Sequence, residues 1–434
     1  MAPLEIGLLG ILALFALILL HVPIAFAMLA VGVVGYGLQA GWQPALTFLS
    51  SEPMALMANV DLITLALFLL MGSFASAAGF SADIYALAAA LLGHRRGGLA
   101  FATIGGCAAF GAVCGSSTAT AATFAKIALP EMLKRRYSPA FAAGTIAAGG
   151  ALKALIPPSL VMILYCIVAK TFIFDLFKAA IIPAVIVIVL NLATIAIIAR
   201  LDPSAAPLAA RVPARERIAA AKRALPAFVL MLTVFGGFYS GIFTVNEAAS
   251  VAAVLAFAFA LVRGRLDWSI VSRSLQETAS VSAMLYMILI GASVFSYFIT
   301  LTRVPEALVQ FVHGLDMPPL AIIAVVLAAY LILGAVFDEI AAMLITLPFV
   351  LPVILKLGYD PVWWGIVNVV VIELGLIIPP IGIIVFLLHG MAPQIAVRTI
   401  YRGVAPFIAA DLLLLALLVV FPQTVLWLPK LLSS

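Results

Sequence analysis

Four ionisable side chains stand in parts of this sequence that are otherwise strongly apolar. They are Lys153, Asp338, Glu339 and Glu373. An ionisable group at membrane depth costs free energy and is usually functional. Because a carboxylate balances a bound cation, Asp338 is the strongest single candidate for an ion site, whereas Glu339 has the alternative of reaching the surface. Unless its long stem carries the ammonium to the surface, Lys153 needs an anionic partner, with Glu373 and Asp338 as candidates, or it must lose its proton.

A run of small and hydroxyl residues, Gly115–Thr120, interrupts another apolar stretch. Ser116, Ser117 and Thr118 offer hydroxyl groups and accessible backbone, which suit the binding of a small ion or a polar ligand. Serine and threonine in membrane helices often bond only to their own backbone, so no single hydroxyl is decisive.

Two proline pairs, Pro157-Pro158 and Pro379-Pro380, lie inside apolar segments of helical length. Each proline removes an amide donor and clashes with the preceding turn, so each pair predicts a helix split by an unwound joint. Carbonyl groups freed at such a joint can hold a cation, and the following helix N-terminus favours an anion. Ser159 is the predicted cap of the first such N-terminus. A purely structural kink is the alternative.

The composition indicates that membrane helices position these groups. Hydrophobic residues make up 66% of the chain and charged residues 9%, against roughly 45–50% and about 25% in soluble domains. So few charges cannot cover a water-facing surface. The net charge of +5 is better explained by membrane topology than by nucleic-acid binding, because the basic residues lie between apolar segments without interleaved aromatic residues. The three cysteines lack metal-ligand or redox spacing.

The chain contains an internal repeat. Residues 129–158 match residues 351–380 without a gap at an offset of 222 positions. Leucine and isoleucine matches are expected by chance in so apolar a chain. Four prolines, a lysine and a tyrosine that match in a fixed register are not. We therefore predict two related halves, residues 1–200 and 223–434, joined by a cytoplasmic linker at 201–222.

Basic clusters predict where the chain turns back inside the membrane. His94–Arg96 precede one apolar stretch and Lys134–Arg136 follow it, so both ends should face the cytoplasm. The segment between them, 97–133, is predicted to be a re-entrant hairpin. Its tip should lie near mid-membrane, where irregular backbone is tolerated only if it is buried in protein or lines a cavity.

The equivalent hairpin, 318–355, should open to the outside, because its flanks are Asp316, Lys356 and Asp360 rather than a basic cluster. Five full crossings are predicted in each half, so that the second half is inverted. Inverted repeats with broken helices are the layout of secondary transporters. The crossings are predicted at 4–21, 22–40, 54–80, 140–168 and 174–199, and at 224–243, 246–263, 275–302, 361–390 and 404–428, of which 140–168 and 361–390 are the broken helices.

Six motifs are specific when they are taken together: Gly115–Thr120, Leu129–Pro139, Leu155–Ser159, Gly241–Ala249, Asp338–Pro352 and Glu373–Gly382. With them, nearly the whole chain resembles the large permease subunit of TRAP (tripartite ATP-independent periplasmic) transporters, the DctM family. The resemblance implies an all-α, multi-pass protein of the bacterial inner membrane with two inverted repeats and an elevator-type, ion-transporter-like fold.

The resemblance also implies a function, namely import of an organic acid (a carboxylate) coupled to sodium, with no other cofactor and no enzymatic activity. The implied partners are a small TRAP membrane subunit, a periplasmic substrate-binding protein and the lipid bilayer, with no nucleic acid. Sodium would be held by Ser116, Ser117, Asp338 and the backbone near Pro157 and Pro379. The whole predicted substrate and ion site comprises Ser116, Ser117, Thr118, Lys153, Pro157, Pro158, Ser159, Asp338, Glu373, Pro379 and Pro380.

Three positions depart from the family pattern and concern the ion sites more than the fold. Lys153 stands where glycine is common, Val371 where asparagine is frequent and Ile378 where threonine is frequent. We predict that the Lys153 ammonium lies near the first broken helix. There it either replaces one bound cation or binds the carboxylate of the substrate.

Three other functions are weighed against this one. The first is a stand-alone divalent-anion/sodium symporter of similar architecture, which would need no binding protein. The second is an intramembrane hydrolase, for which His21, His94, His313 and His389 are the available bases, but none belongs to a motif with a nucleophile. The third is a passive channel, which two hairpins and two broken helices favour less than alternating access.

Overall fold

The computed structural model describes residues 2–314 and 317–433. Every regular element in that part of the chain is helical, which confirms the predicted all-α fold. Nine helical segments among the described residues are long and apolar enough to cross a membrane. The predicted hairpin flank Asp316 and the side chain of His313 lie outside what the structure describes.

The helices fall into two runs on either side of the linker. The first run is α1 (Pro3–Leu19), α2 (Ile24–Ala40), α3 (Trp42–Met57), α4 (Val60–Ala77), α5 (Phe80–Leu92), α6 (Gly98–Cys114), α7 (Ser117–Lys134), α8 (Pro139–Ala151), a 3₁₀ turn (Leu152–Leu155), α9 (Leu160–Ala169) and α10 (Ile173–Leu201). The second run is α11 (Ala214–Tyr239), α12 (Val245–Val262), α13 (Trp268–Leu301), α14 (Val304–Gly314), α15 (Pro319–Val336), α16 (Glu339–Lys356), α17 (Pro361–Gly375), α18 (Ile383–Met391), α19 (Val397–Val420) and α20 (Gln423–Ser433).

Two helical hairpins occupy matching positions in the two runs. Helices α6 and α7 meet at Gly115 and Ser116, and helices α15 and α16 meet at Phe337 and Asp338. Both bounds of α7 and α16 differ by the same 222 positions as the sequence repeat. At each tip a side chain caps the second leg: Ser116 accepts a backbone N–H at 3.3 Å and Asp338 accepts one at 3.0 Å. Such caps satisfy amides that a helix start leaves unpaired, so the chain reverses at these residues.

Both proline pairs break a helix, as predicted. Helix α8 tightens into the 3₁₀ turn and stops before Pro157-Pro158, and α9 resumes the same course. In the second run, α17 stops before Pro379-Pro380 and α18 follows it. The bond within each pair is a cis peptide.

The broken helices lie at the core of the molecule. In α8 every residue from Phe141 to Ala151 is buried, and in α17 every residue from Trp363 to Gly375 is buried. Small residues allow neighbouring helices to pack closely around these buried segments. A Cβ built on Gly403 of α19 would lie 1.7 Å from the carbonyl oxygen of Ala140. The backbones of α8 and α19 are therefore in direct contact, which fixes the helix in front of the first joint.

Two predicted crossings are each divided into two helices. The segment 54–80 is not one helix, because α3 ends at Met57 and the Asn59 side chain caps a new helix by accepting the Asp61 N–H at 2.9 Å. The segment 404–428 is also divided, since α19 ends at Val420 and α20 begins after Pro422.

The linker is shorter than predicted. It is non-helical only as far as Pro213, and Ala214 begins α11, so that the basic residues after it lie on a helix. The prolines of the linker therefore prevent a helix only before Ala214. Pro213 stands at the N-cap of α11, where its missing N–H costs nothing.

Candidate substrate and ion site

A cavity of about 680 Å³ lies between the two hairpin tips. The tips contribute Ser116 and Thr118 from the first hairpin and Asp338 and Glu339 from the second. The opposite wall comes from α4 and α13, and its polar residues are Ser73, Ser76, Arg273, Ser274, Glu277 and Thr278. This volume is in the usual range for a small-molecule site, and the lining joins a few polar groups to an apolar frame.

The first tip presents hydroxyl groups to this cavity. The Ser116 Oγ and the Thr118 Oγ1 lie 3.2 Å apart. The next residue, Ser117, points the other way and is buried. Its hydroxyl donates to the Glu373 Oε1 at 2.8 Å, which ties α7 of the first run to α17 of the second. The two runs are thus joined by a hydrogen bond directly behind the first tip.

Glu373 is only half satisfied by that bond. Its side chain is 5% exposed, and its Oε2 has no hydrogen-bond partner among the described residues. The Oε2 of Glu339 is likewise buried without a partner in the described part of the chain. Glu339 lines the cavity and its side chain interacts with that of Glu373, so acidic groups connect the cavity to the buried Glu373.

Lys153 lies behind the first tip and does not reach the surface. It is 1% exposed, and its Nζ donates to the carbonyl oxygen of Gly115 at 2.5 Å. Its stem packs against Gly111, where a Cβ would lie 2.7 Å from the lysine Cγ. The carboxylates of Glu339 and Glu373 act on the ammonium electrostatically, but none of the ion pairs among the described residues includes it. Lys153 is not part of the cavity lining.

Comparison with known proteins identifies the molecule that contains this site. The profile of a family described as "Tripartite ATP-independent periplasmic transporter, DctM component" matches residues 11–424. The chain belongs to the DctM family. It is therefore the large permease component of a TRAP transporter, a multi-pass protein of the bacterial inner membrane, as the sequence motifs predicted.

Three similar proteins are named as transporter permeases. The chain is 35% identical to the C4-dicarboxylate TRAP transporter large permease protein DctM of Pseudomonas aeruginosa, covering 86% of this chain and 87% of the relative. It is 32% identical to the isethionate TRAP transporter permease protein DctMQ of Oleidesulfovibrio alaskensis, covering 95% of this chain and 64% of that protein. It is 29% identical to the sialic acid TRAP transporter large permease protein SiaM of Vibrio cholerae, covering 86% and 87%.

A solved structure shares the fold. The crystal structure of the Alcanivorax borkumensis YdaH transporter superimposes with a TM-score of 0.59 over 91% of this chain and 95% of that chain, at 15% identity. At this identity the likeness concerns the fold alone.

The structure of this TRAP permease separates the predicted site residues into groups. Ser116, Thr118 and Asp338 face the cavity, whereas Ser117, Lys153 and Glu373 form a buried cluster behind the first tip. We refer to Lys153, Glu373 and Ser117, together with Glu339 at the edge of the cavity, as the buried charge cluster.

The proline pairs lie away from the cavity. Pro157 and Pro158 are buried against the aromatic side chains of α4, α10 and α11, beside a small apolar void. Pro379 and Pro380 are exposed, and the carbonyl group that follows them, of Ile381, accepts a hydrogen bond from a tyrosine hydroxyl at 2.7 Å.

The expected cap of α9 is not formed. Ser159 stands at the N-cap position with extended backbone, but its side chain makes no capping hydrogen bond. Its Oγ is buried without a partner among the described residues. The prediction that its hydroxyl satisfies the start of α9 is therefore wrong.

Sequence reasoning missed the α13 side of the cavity. Arg273 and Glu277 are four residues apart on one helix face, and the predicted crossing began only at residue 275. The signal was the pair of opposite charges at helical spacing in an apolar helix. On the same wall the Ser73 hydroxyl donates to the Ser274 Oγ at 2.8 Å, which joins α4 to α13.

Proposed function

We propose that this TRAP permease imports a small organic acid as its carboxylate, coupled to sodium entry. The observation that carries the proposal is the cavity between the hairpin tips, which combines hydroxyl groups with the guanidinium of Arg273. A guanidinium offers a planar fork of N–H donors that matches a carboxylate. Relatives named for C4-dicarboxylates, isethionate and sialic acid support an acidic cargo.

The hairpin tips are proposed to bind sodium and cargo together. Asp338 lies at the N-terminus of α16 and opens onto the cavity, beside the backbone at the tip. A carboxylate in that position attracts a sodium ion, whose charge in turn favours an anionic cargo. Cargo release on the cytoplasmic side would follow when the sodium leaves.

Transport is proposed to proceed by an elevator movement. The cavity has one wall from the hairpins and another from α4 and α13, and the tips would slide past that second wall. The first hairpin would move as one body with both broken helices, because Ser117 is bonded to Glu373 and Lys153 to Gly115.

The proposed partners are a small membrane subunit and a periplasmic binding protein that delivers the cargo. The isethionate relative, named DctMQ, is longer than this chain, which spans 64% of it. The competing proposal is a stand-alone divalent-anion/sodium symporter, in which the permease would work without a binding protein.

Reconstitution tests this function directly. The permease is placed in proteoliposomes with its small membrane subunit, and uptake of labelled carboxylates is measured with and without candidate binding proteins and an inward sodium gradient. We expect uptake only when the binding protein, its cargo and the gradient are all present. Uptake of equal rate without any binding protein would favour the stand-alone symporter, and equal uptake without the gradient would remove sodium coupling.

A further inference from the structure

We propose that Lys153 is a tethered cation that fills one ion position permanently, so that the buried charge cluster binds one mobile sodium ion instead of two. This inference rests on the proposed sodium coupling and adds to it a count of ions. It chooses between the two roles that the sequence leaves open for this lysine, a replacement for a cation and a ligand for cargo.

The first support is the position of the ammonium. The Gly115 carbonyl, to which it donates, is at the C-cap of α6. The last carbonyls of a helix have no intrahelical partner and carry partial negative charge, so they favour a cation. Gly111, one turn earlier, leaves the space in which the lysine stem lies. The ammonium is thus held where a free cation would otherwise bind the end of the helix.

The second support is the balance of charge. The carboxylates of Glu339 and Glu373 are the acidic groups that act on the ammonium. We take both carboxylates as ionised while sodium is bound, which leaves one negative charge beyond the single ammonium. An unpaired buried charge is strongly unfavourable, and each carboxylate has a buried oxygen without a partner in the described part of the chain. One further cation, entering from the cavity past Glu339, completes the cluster.

The third support is the repeat within the chain. The residue 222 positions after Lys153 is Gly375, and the residue matching the Gly115 acceptor is Phe337. Gly375 packs directly on the backbone of Gly334, so this position of the second half has no room for a lysine side chain. At this repeated position, a cation is therefore present in the first half and absent from the second.

A role in binding cargo fits the geometry less well. Lys153 is buried behind the tip, and the cavity is lined by Gly115, whose carbonyl accepts from the ammonium, rather than by the lysine itself. Cargo in the cavity would meet Arg273 on the opposite wall instead.

Counting bound sodium tests the inference. Binding of radioactive sodium to purified permease is measured at saturation for the wild type and for Lys153→Met, which keeps the stem and loses the charge. We expect Lys153→Met to bind about one more sodium ion per chain, because the two carboxylates then need two cations. Glu373→Gln should bind about one fewer, and the double variant should return to the wild-type count.

Two controls separate the charge from other effects of the substitution. Lys153→Arg should keep the wild-type count. Lys126→Met removes an exposed lysine of α7 outside the cavity lining and should change nothing. If Lys153→Met does not fold, Glu373→Gln together with Lys153→Arg still tests the charge balance.

The possible failures are distinguishable. Sodium bound by the wild type with the same count in Lys153→Met would overturn the tethered cation and leave sodium coupling intact. An unchanged count with cargo affinity weakened more than tenfold would assign Lys153 to the cargo instead. Absence of sodium binding in the wild type and every variant would overturn the coupling itself.

Discussion

The hairpin and the broken helix of one half closely match those of the other, but a charged residue in one half has a neutral counterpart in the other. Position 153 is a lysine in the first half, whereas its counterpart in the second half is Gly375. Conversely, the first residue of α7 is Ser117, and the first residue of α16 is Glu339. The first tip is thus supplied with a positive charge from its own half, and the second with negative charge.

The backbones at the two tips differ accordingly. Gly115 adopts a left-handed conformation with φ of +77°, which turns its carbonyl toward the lysine, whereas Phe337 is extended with φ of −103°. Similar helices can therefore carry different chemistry. The charge at each tip depends on the tip residues and on the residue four positions before the proline pair, which is Lys153 in the first half. The comparison teaches that the repeat supplies the framework, while the ion sites have diverged.

Neutralising the acidic tip should have the largest effect. Asp338→Asn is expected to lower the initial uptake rate by about tenfold or more. This factor corresponds to losing about 1.4 kcal/mol, the size of one contact with a charged group. Asparagine caps a helix as well as aspartate, so α16 should still form and only the charge is lost. The measurement is uptake by proteoliposomes that contain equal amounts of inserted protein.

Asp360→Asn is the matched control. Asp360 caps α17 by accepting the Val362 N–H at 2.7 Å, but it is exposed and does not line the cavity. Its substitution should leave uptake unchanged. Equal losses in both variants, or wild-type uptake by Asp338→Asn, would remove Asp338 from the proposed ion site.

The second-largest effect is expected from adding a side chain at Gly375, the glycine that matches Lys153. A Cβ on Gly375 would lie 2.3 Å from the carbonyl carbon of Gly334, which is backbone and cannot rotate away. Gly375→Ala is therefore expected to destabilise the protein by about 1–3 kcal/mol through overpacking. Thermal unfolding in detergent measures the loss. Gly105→Ala is the control, since a Cβ there meets nothing within 4 Å and alanine favours the helix.

Most of the fold could be predicted from the sequence. The hairpins and broken helices follow from strong local signals, namely basic clusters, a polar run inside an apolar stretch, and proline pairs. The break between α3 and α4 was missed because the segment is apolar on both sides of it, and the cap at Asn59 is one short signal within a long hydrophobic run.

The candidate site could be predicted only in part. Residue types and the repeat indicate the tip residues, but not which way each side chain points, so that Ser116 and Ser117 were not distinguished. The contact of Lys153 with Gly115 joins residues 38 positions apart and depends on the space left by Gly111. Arg273 lies near a helix end, where a charged residue looks like ordinary surface. Tertiary packing decides all of these features.

Breaking the bond between the halves should have a smaller effect. Ser117→Ala removes the donor to Glu373 and is expected to cost about 1 kcal/mol, the usual size of a side-chain hydrogen bond within a membrane protein. The same unfolding measurement detects it. Thr145→Val is the control, because the Thr145 hydroxyl is buried but bonds only to the Phe141 carbonyl of its own helix. Equal stability of the two variants would mean that the bond to Glu373 contributes nothing to the junction.

The smallest effect is expected at the first proline joint. Ser159 and Ser117 are both buried serines, but only Ser117 has a partner for its hydroxyl among the described residues. Removing an unsatisfied hydroxyl releases a group that was desolvated without compensation, so Ser159→Ala should change stability by less than about 0.5 kcal/mol or raise it slightly. The two serine-to-alanine variants are compared by unfolding of the purified permease at saturating sodium and again without sodium. A loss at Ser159 as large as that at Ser117, confined to the sodium-bound protein, would contradict the expectation. That outcome would place a sodium ion at the first proline joint. The half that carries Lys153 would then hold a second mobile cation, contrary to the proposal of a single one.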